Sequence, residues 1–264
     1  MTKQTFKKDL TLIHVLENRD ELGKECANDL ADRINTVLSE KDIVNIVFAS
    51  APSQKETLDY LLEKDIPWER IRAFHMDEYV GLAKDHPSGF GNILDGDLFS
   101  KKPFYEVYYL KDQGTSAEDI CREYSRLIEE YPLDIIVLGI GENGHLAFND
   151  PPVADFNDPH LVKEVELDLV SRQQQVNDKC FATLDEVPHT AVTITMSAIA
   201  GAKQHVVAVP GATKAQALRG LFFDEISESC PATMLRQLEG SAVYVDLDSM
   251  SAIDREEIKE LIHE

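Results

Sequence analysis

The sequence contains few cysteines, and no two of them lie close together. Its 264 residues include four, which are Cys26, Cys121, Cys180 and Cys230. Cysteines scattered in this way show neither the spacing of a zinc knuckle nor that of a redox dithiol. Their distribution predicts a protein of a reducing compartment, and we expect the protein to be cytoplasmic.

Positive charge is also scarce. The chain has 26 Lys and Arg against 48 Asp and Glu, so its formal net charge is -22. Nucleic acids and anionic membranes attract clustered Lys and Arg, and we therefore expect neither as a partner. The sequence also lacks a membrane-spanning apolar run and the pattern of a signal peptide. A local anion site built from individual lysines and backbone amides remains compatible with this composition.

Short β-branched segments alternate with amphipathic segments along most of the chain. The first kind predicts strands at residues 43–48, 71–76, 107–110, 135–139, 191–195, 206–209 and 243–245. The second kind predicts helices near residues 21–38, 53–62, 117–130, 214–221 and 254–262. This alternation predicts an α/β, Rossmann-like fold with a mostly parallel sheet and helices on both faces. The length fits a single domain over residues 1–264.

Residues 153–179 interrupt this alternation. They show no clear strand, and the polar run at 171–175 looks poorly suited to a core. A long irregular segment directly after a strand-end turn is typical of a lid over a site. The sequence is equally consistent with a surface insertion in place of a lid.

A glycine-rich turn follows the strand at 135–139 and presents Asn143, His145 and Asp150. Turns at strand ends are where α/β proteins place chemistry. A glycine precedes His145, and the two other polar side chains can orient or polarise its ring. We therefore expect His145 to transfer protons between oxygen atoms.

The same turn matches the glycine pattern of dinucleotide-binding proteins at residues 139–144. That pattern requires a helix whose free amides hold a pyrophosphate. Here Pro151 and Pro152 would interrupt such a helix almost at once. We therefore expect no dinucleotide, and no other cofactor.

Two adjacent carboxylates, Asp77 and Glu78, follow the strand at 71–76. One of them can face a crevice while the other is held elsewhere, and Asp77 is the better candidate for a base. A helix N-cap and a surface ion pair are the structural alternatives.

Several side chains near these motifs are of types that bind metals. They are His75, Asp77, His86, His145 and Asp150. The sequence lacks the helical pair of histidines that zinc hydrolases use, so we expect no metal site.

Two strand-to-helix junctions are candidates for phosphate binding. The first comprises Ser50, Ala51, Pro52 and Ser53. Hydroxyls and free amides before a helix favour a phosphate, although N-capping by a serine explains the same residues. The second junction is residues 210–214, where Lys214 stands in the first helical turn. A lysine there opposes the helix dipole, and a bound anion explains it better than stability does.

Two motifs together resemble the glucosamine-6-phosphate deaminase (isomerase) family. They are residues 74–82 (FHMDEYVGL), followed by His86 and Pro87, and residues 139–151 (GIGENGHLAFNDP). The likeness extends from about residue 43 to about residue 221. It implies an aldose-to-ketose isomerisation coupled to deamination of a hexosamine 6-phosphate, with a ketose phosphate and ammonia as products.

The resemblance also implies residue roles by position. Asp77 matches the base that moves a proton between C2 and C1. His145 matches the ring-opening acid/base, supported by Asn143 and Asp150. Lys214 matches a phosphate-binding lysine.

Some positions depart from the family pattern. Residues 51–53 (APS) replace the usual Gly-Gly-Thr phosphate loop, and Asp150 stands where glutamate is usual. By a looser alignment, Lys179 falls where the family commonly has a phosphate-binding arginine, so a point charge replaces a bidentate group. The particular sugar therefore stays open, and galactosamine 6-phosphate fits as well as glucosamine 6-phosphate.

Two other functions remain as alternatives. A 6-phosphogluconolactonase has a similar Asp-Glu pair and Gly-His turn, but generally has arginine where this chain has Tyr79 and Thr-Ala-Ser after its histidine. A catalytically silent sugar-phosphate sensor would explain the altered loop, although it needs no pair of proton-transfer groups. Self-association into a homo-oligomer is also left open.

Overall fold

The structure is a computed structural model that describes residues 4–110 and 116–263. The strands are β1 (Gln4–Lys8), β2 (Thr11–Leu16), β3 (Val44–Phe48), β4 (Ile71–His75), β5 (Asp77–Tyr79), β6 (Glu106–Tyr108), β7 (Ile135–Leu138), β8 (Val162–Glu166), β9 (Thr190–Ile194), β10 (Gln204–Val209) and β11 (Ser241–Asp246). The α-helices are α1 (Arg19–Glu40), α2 (Lys55–Leu62), α3 (Phe90–Asp97), α4 (Ala117–Glu130), α5 (Leu169–Asn177), α6 (Met196–Ala200), α7 (Ala215–Phe223) and α8 (Arg255–His263). None of the helices within the described ranges is both long and apolar enough to cross a bilayer.

Eight of these strands form the central sheet in the order β1-β2-β11-β10-β7-β3-β4-β6. Strand β1 is antiparallel to β2, and all other pairs in this sheet are parallel. The predicted Rossmann-like α/β fold with a mostly parallel sheet is therefore confirmed.

Helices cover both faces of this sheet, as the alternation of strand and helix segments in the sequence predicted. Successive side chains of a strand point to opposite faces, so neighbours in β3 belong to different cores. Ile46 packs in the cluster that contains Ile34 of α1. Val47 packs in the cluster that contains Tyr124 of α4 and Leu218 of α7. Because both faces are covered, the central strands are apolar throughout rather than alternating.

A second, antiparallel sheet of three strands has the order β5-β9-β8. The predicted strand at 191–195 is β9 and lies in this sheet, not in the parallel one. Val192 and Ile194 of β9 pack in the same core cluster as Val47 of the central sheet. The two sheets therefore share one core.

The segment at 153–179 differs from its prediction in two respects. It contains β8 and α5, so the expectation that it has no strand is wrong. Strand β8 has only two apolar residues, Val162 and Val165, and these are its buried positions. Two apolar residues give too weak a hydrophobic pattern to predict a strand. Four of the five residues of the polar run are also buried; Ser171 and Arg172 are 1% and 5% exposed, and Gln173 alone is exposed. Helix α5 shows no apolar stripe because its buried contacts include hydrogen bonds to polar groups.

The remaining predicted strands and helices are confirmed within a few residues. Strands β1, β2 and β5 and helices α3 and α6 were not predicted from the sequence. These elements are short, and in β2 the apolar run is broken by His14. Short segments of this kind give little periodic signal.

Candidate active site

The site lies at the carboxyl ends of four neighbouring strands, β10, β7, β3 and β4. The chain leaves β3 toward β4 on one side and leaves β7 toward β10 on the other, so the winding direction reverses between β3 and β7. Such a reversal opens a crevice in α/β proteins. Here the cleft contains about 500 Å³ of empty space, counting the part open to solvent. The predicted site residues that line it are Ser50, Ala51, Ser53, Asp77, His145 and Lys214.

The two adjacent carboxylates after β4 have separate surroundings. The Glu78 carboxylate accepts hydrogen bonds from the backbone N–H groups of Phe90 and Gly91, at 3.0 and 2.9 Å. These are the first amides of α3, which have no partner within the helix, so Glu78 stabilises the start of that helix. Asp77 lines the cleft instead.

Asp77 is buried and 6% exposed, and its carboxylate accepts no hydrogen bond from the part of the chain that the structure describes. Burial raises the pKa of Asp77 well above its ordinary value, and the nearby Glu78 carboxylate raises it further. A buried carboxylate without donors is a stronger base than one in water.

His145 is held by its Nδ1 atom. This nitrogen lies 2.8 Å from Asn143 Oδ1 and 2.9 Å from Asp150 Oδ1. Asn143 Oδ1 also accepts the backbone N–H of His145, and Asn143 Nδ2 donates to Asp150 Oδ1 at 2.8 Å. Asn143 Oδ1 and Asp150 Oδ1 can only accept hydrogen bonds, so the Nδ1 atom of His145 must carry a hydrogen. Nε2 is then the ring nitrogen left for a ligand.

The carboxylate behind His145 is fixed in its ionised form. Asp150 is 1% exposed. Burial alone raises the pKa of Asp150, but hydrogen bonds from His145, Asn143 and Ser171 outweigh it and hold the pKa below the ordinary value. The ring packs directly over Gly141, where an added Cβ would lie 2.1 Å from the imidazole. Glycine is therefore required at that position of the turn.

The loop after β3 brings two hydroxyls to the cleft. Ser50 is 6% exposed, and its Oγ atom is buried without a hydrogen-bond partner among the described residues. Ser53 approaches the turn after β7 so closely that a Cβ on Gly139 would lie 2.8 Å from Ser53 Oγ. A buried hydroxyl without a hydrogen-bond partner lowers the stability of the fold unless a ligand or a water molecule forms a hydrogen bond with it.

The loop after β10 places Lys214 in the cleft. Gly211 adopts φ of 91°, and its backbone N–H donates to the Asp246 carboxylate at 3.0 and 3.1 Å. The chain then turns through Ala212–Lys214 into α7. Lys214 is 8% exposed, and its burial lowers its pKa, an effect that Asp178 and Glu142 partly offset. A cation held in this way favours an anionic ligand.

Other predicted site residues lie outside the cleft lining. Asn143 and Asp150 contact the far side of the imidazole. Pro52 lines a neighbouring cavity. Lys179 is exposed at the end of α5, with φ of 62°. Its phosphate role stays a prediction.

Three polar residues of α5 that belong to the site were not predicted from the sequence. Gln174 and Gln175 line the cleft, and Gln174 Oε1 accepts the backbone N–H of Glu142 at 3.1 Å. Ser171 Oγ lies 3.1 Å from His145 Nδ1. The polar run itself was the available signal, because buried polar groups need polar partners. It was interpreted as poorly suited to a core, with a lid and a surface insertion left equally open.

The structure also bears on the cofactor predictions. Residues 139–161, all of them described, contain no helix that could hold a pyrophosphate after the glycine pattern. Across residues 4–110 and 116–263 no three His, Cys, Asp or Glu side chains are grouped to hold a metal ion.

These features define a class of protein: a Rossmann-like α/β fold with a buried carboxylate, an oriented imidazole and a lysine in one crevice. The sequence profile of a known family, described as glucosamine-6-phosphate isomerases/6-phosphogluconolactonase, matches residues 17–244. The chain belongs to this family.

Individual relatives agree with this assignment. The chain is 34% identical to a glucosamine-6-phosphate deaminase of Streptococcus gordonii over 194 residues, 74% of this chain and 80% of the relative. It is 28% identical to a glucosamine-6-phosphate deaminase of Lactobacillus delbrueckii subsp. bulgaricus over 241 residues, 91% of this chain and 99% of the relative.

Solved structures show the same fold. A monomeric glucosamine-6-phosphate deaminase superposes with a TM-score of 0.83 at 26% identity, covering 91% of this chain and 99% of the other. A 6-phosphogluconolactonase from Thermotoga maritima superposes with a TM-score of 0.71 at 23% identity, covering 89% and 99%. The second comparison concerns the fold alone.

Proposed function

We propose that the protein is an amino-sugar phosphate isomerase and deaminase. It converts glucosamine 6-phosphate, or a close hexosamine 6-phosphate, and water to a ketohexose 6-phosphate and ammonia. Relatives named glucosamine-6-phosphate deaminase cover most of the chain and support this assignment.

One observation carries the proposal. The cleft holds a buried carboxylate without hydrogen-bond donors, Asp77, and an imidazole whose Nδ1 hydrogen is fixed, His145. The first can accept a proton from carbon, and the second can move a proton between two oxygens. An aldose-to-ketose isomerisation of a cyclic sugar needs both operations.

Ring opening is the first step. His145 Nε2 takes the proton of the anomeric hydroxyl and returns it to the ring oxygen as the C1–O5 bond breaks. The Nδ1 contacts with Asn143 and Asp150 keep the imidazole in the tautomer that this exchange uses. Asp150 stays ionised and stabilises the imidazolium that forms in between.

Isomerisation follows in the open chain. Asp77 removes the proton from C2, which gives an enolamine, and a proton is then delivered to C1. The imine now at C2 adds water and releases ammonia. The raised pKa of Asp77 suits this step because a weakly acidic C–H requires a strong base, and the protonated carboxyl can return the proton.

Lys214 and Ser50 are suited to the 6-phosphate. Both are buried and line the cleft. A phosphate oxygen would give the Ser50 hydroxyl the hydrogen-bond partner that it lacks. The negative charge of the phosphate would offset the free-energy cost of burying the Lys214 ammonium group. Residues 153–179 would act as a lid, because Gln174 and Gln175 of α5 form part of the cleft wall.

The test is a panel of glucosamine 6-phosphate, galactosamine 6-phosphate, unphosphorylated glucosamine and 6-phosphogluconolactone. Ammonia and ketose phosphate are measured for the amino sugars, and acid release for the lactone. We expect equal amounts of ammonia and ketose phosphate from at least one hexosamine 6-phosphate.

The other outcomes identify other functions. Acid release from the lactone without ammonia from any amino sugar would make the protein a lactonase. Binding of hexosamine phosphates without turnover would make it a sensor. Either result would overturn the proposal.

A further inference from the structure

One polar contact joins two segments that the proposed mechanism treats separately. Helix α5 belongs to the segment at 153–179, whereas Asp150 and His145 belong to the turn after β7. Ser171 of α5 donates a hydrogen bond from Oγ to Asp150 Oδ1, and the same oxygen lies 3.1 Å from His145 Nδ1. Ser171 is 1% exposed, so water does not compete for this contact.

The hydrogens at this contact can be assigned by counting donors. A serine hydroxyl has one hydrogen and two lone pairs. Ionised Asp150 can only accept, so the Ser171 hydrogen goes to the carboxylate. The remaining lone pairs of Ser171 then face the Nδ1–H of His145. Ser171 therefore favours the same arrangement that Asn143 favours: a charged carboxylate and a hydrogen on Nδ1.

The charged form of Asp150 depends on few groups. The polar groups that face it are His145 and Asn143 from the turn, and Ser171 from α5. Arg172, the next residue of α5, donates to the carbonyl oxygens of Leu184 and Val187 at 2.7 and 2.9 Å. Its Nη2 atom is thus directed to these carbonyls, and the neutral hydroxyl of Ser171 is the contact that α5 makes with the carboxylate.

We propose that Ser171 is a positioning residue through which α5 completes the acid–base group. It holds Asp150 charged and the His145 ring oriented with Nε2 available, so proton transfer at the sugar ring requires α5 to be docked on the turn. The role in catalysis rests on the proposed function. The hydrogen-bond arrangement does not, and it can be measured without turnover.

The first test is a titration of the enzyme without substrate. The side-chain carboxyl carbons of aspartate are labelled with ¹³C, and the Asp150 signal is assigned by its loss in Asp150→Asn. Removing one hydrogen bond to a buried charge should raise the titration midpoint of Asp150 by about one pH unit in Ser171→Ala. The matched control is Gln173→Ala, which changes an exposed side chain of the same helix that bonds Asn177 at 3.1 Å. Its midpoint should equal that of the wild type.

The second test is the pH dependence of ammonia release. Ser171 is not part of the cleft lining, so Ser171→Ala should leave KM unchanged and lower kcat by about tenfold. Since the lost hydrogen bond favoured the ionised carboxylate, Asp150 protonates at higher pH in the variant. The acid limb of the rate profile should therefore move to higher pH, while Gln173→Ala keeps the wild-type profile.

The two tests separate the two proposals. If the wild type releases no ammonia but the Asp150 midpoint moves in Ser171→Ala, the function is wrong and the positioning role of Ser171 toward Asp150 stands. An unmoved midpoint in folded Ser171→Ala, with an active wild type, would overturn the role of Ser171 alone. Folding of each variant is checked by near-UV circular dichroism.

Discussion

Two groups of side chains in the cleft differ in how far the protein satisfies their polar atoms. Around His145, the described residues supply hydrogen-bond partners for Nδ1, for Asn143 and for one oxygen of Asp150, although Asp150 Oδ2 is buried without a partner among them. In the loops after β3 and β10, the Ser50 hydroxyl has no partner in the described chain, and Lys214 has no carboxylate of that chain within ion-pair distance. The acid–base group at His145 is thus largely organised in advance, whereas the anion-binding group awaits its ligand.

This difference predicts where substitutions act. A change at a proton-transfer side chain, Asp77 or His145, should lower the rate of the chemical steps. A change at Ser50 or Lys214 should weaken capture of the phosphorylated substrate and leave the chemistry nearly intact.

Asp77→Asn should have the largest effect. It keeps nearly the same volume but removes the base, so kcat for ammonia release should fall by about 10³- to 10⁴-fold while substrate still binds. The matched control is Glu78→Gln, which alters the neighbouring carboxylate that caps α3. That variant should lose stability but keep most of kcat. Ammonia release at the wild-type rate by folded Asp77→Asn would remove Asp77 from the mechanism.

His145→Gln should have the next largest effect. If His145 opens the sugar ring, kcat with cyclic substrate should fall by about 10²- to 10³-fold. An open-chain analogue bypasses this step and should be much less affected. The comparison requires both substrates in one coupled ammonia assay. Equal losses with the two substrates would give His145 a different role.

Lys214→Ala should act on binding. Loss of a charge-assisted contact to phosphate costs about 1.5 to 3 kcal/mol, which corresponds to a KM about 10- to 150-fold higher. Lys179→Ala is the matched comparison, and we expect a smaller rise because Lys179 is exposed in this structure. Unphosphorylated hexosamine should respond to neither change. An equal rise in both variants would mean that the segment at 153–179 brings Lys179 to the phosphate when substrate binds.

Asp77 should also have a measurable effect on stability. Its pKa is raised in the folded protein, so the native state binds a proton more tightly than the unfolded state does. The stability that Asp77 contributes is therefore present below the ordinary aspartate pKa of 3.8 and is lost as pH rises through the folded pKa. Asp77→Asn should be more stable than the wild type at pH 8, and the difference should shrink toward pH 4. Thermal unfolding across this range measures it, and a variant less stable than the wild type at pH 8 would contradict the assigned burial effect.

Much of the fold could be predicted from sequence because the central strands are apolar and alternate with amphipathic helices. The signal was weakest where elements are short or where polar groups are buried. Strand β5 has three residues, Asp77 to Tyr79, and two of them are carboxylates. Helix α5 buries Ser171, Arg172, Gln174 and Gln175. The burial of α5 is determined by hydrogen bonds to other parts of the fold, and the hydrophobic periodicity of the sequence does not reveal such bonds.

The site residues also fall into those that could be predicted from the sequence and those that could not. Ser50, Asp77, His145 and Lys214 could be predicted because each follows a recognisable strand, and parallel strands bring such positions to one edge. Ser171 could not, because its role depends on how a distant helix docks on the turn after β7.

The central claim is that one buried carboxylate carries a proton from C2 to C1 of an opened hexosamine phosphate. The most direct measurement is the deuterium content at C1 of the ketose phosphate that the wild type forms in deuterated water. We expect partial incorporation, because the proton on Asp77 exchanges with solvent in some turnovers and is transferred directly in others. Complete incorporation of solvent deuterium at C1, with no hydrogen carried over from C2 in any turnover, would contradict transfer by a single carboxyl.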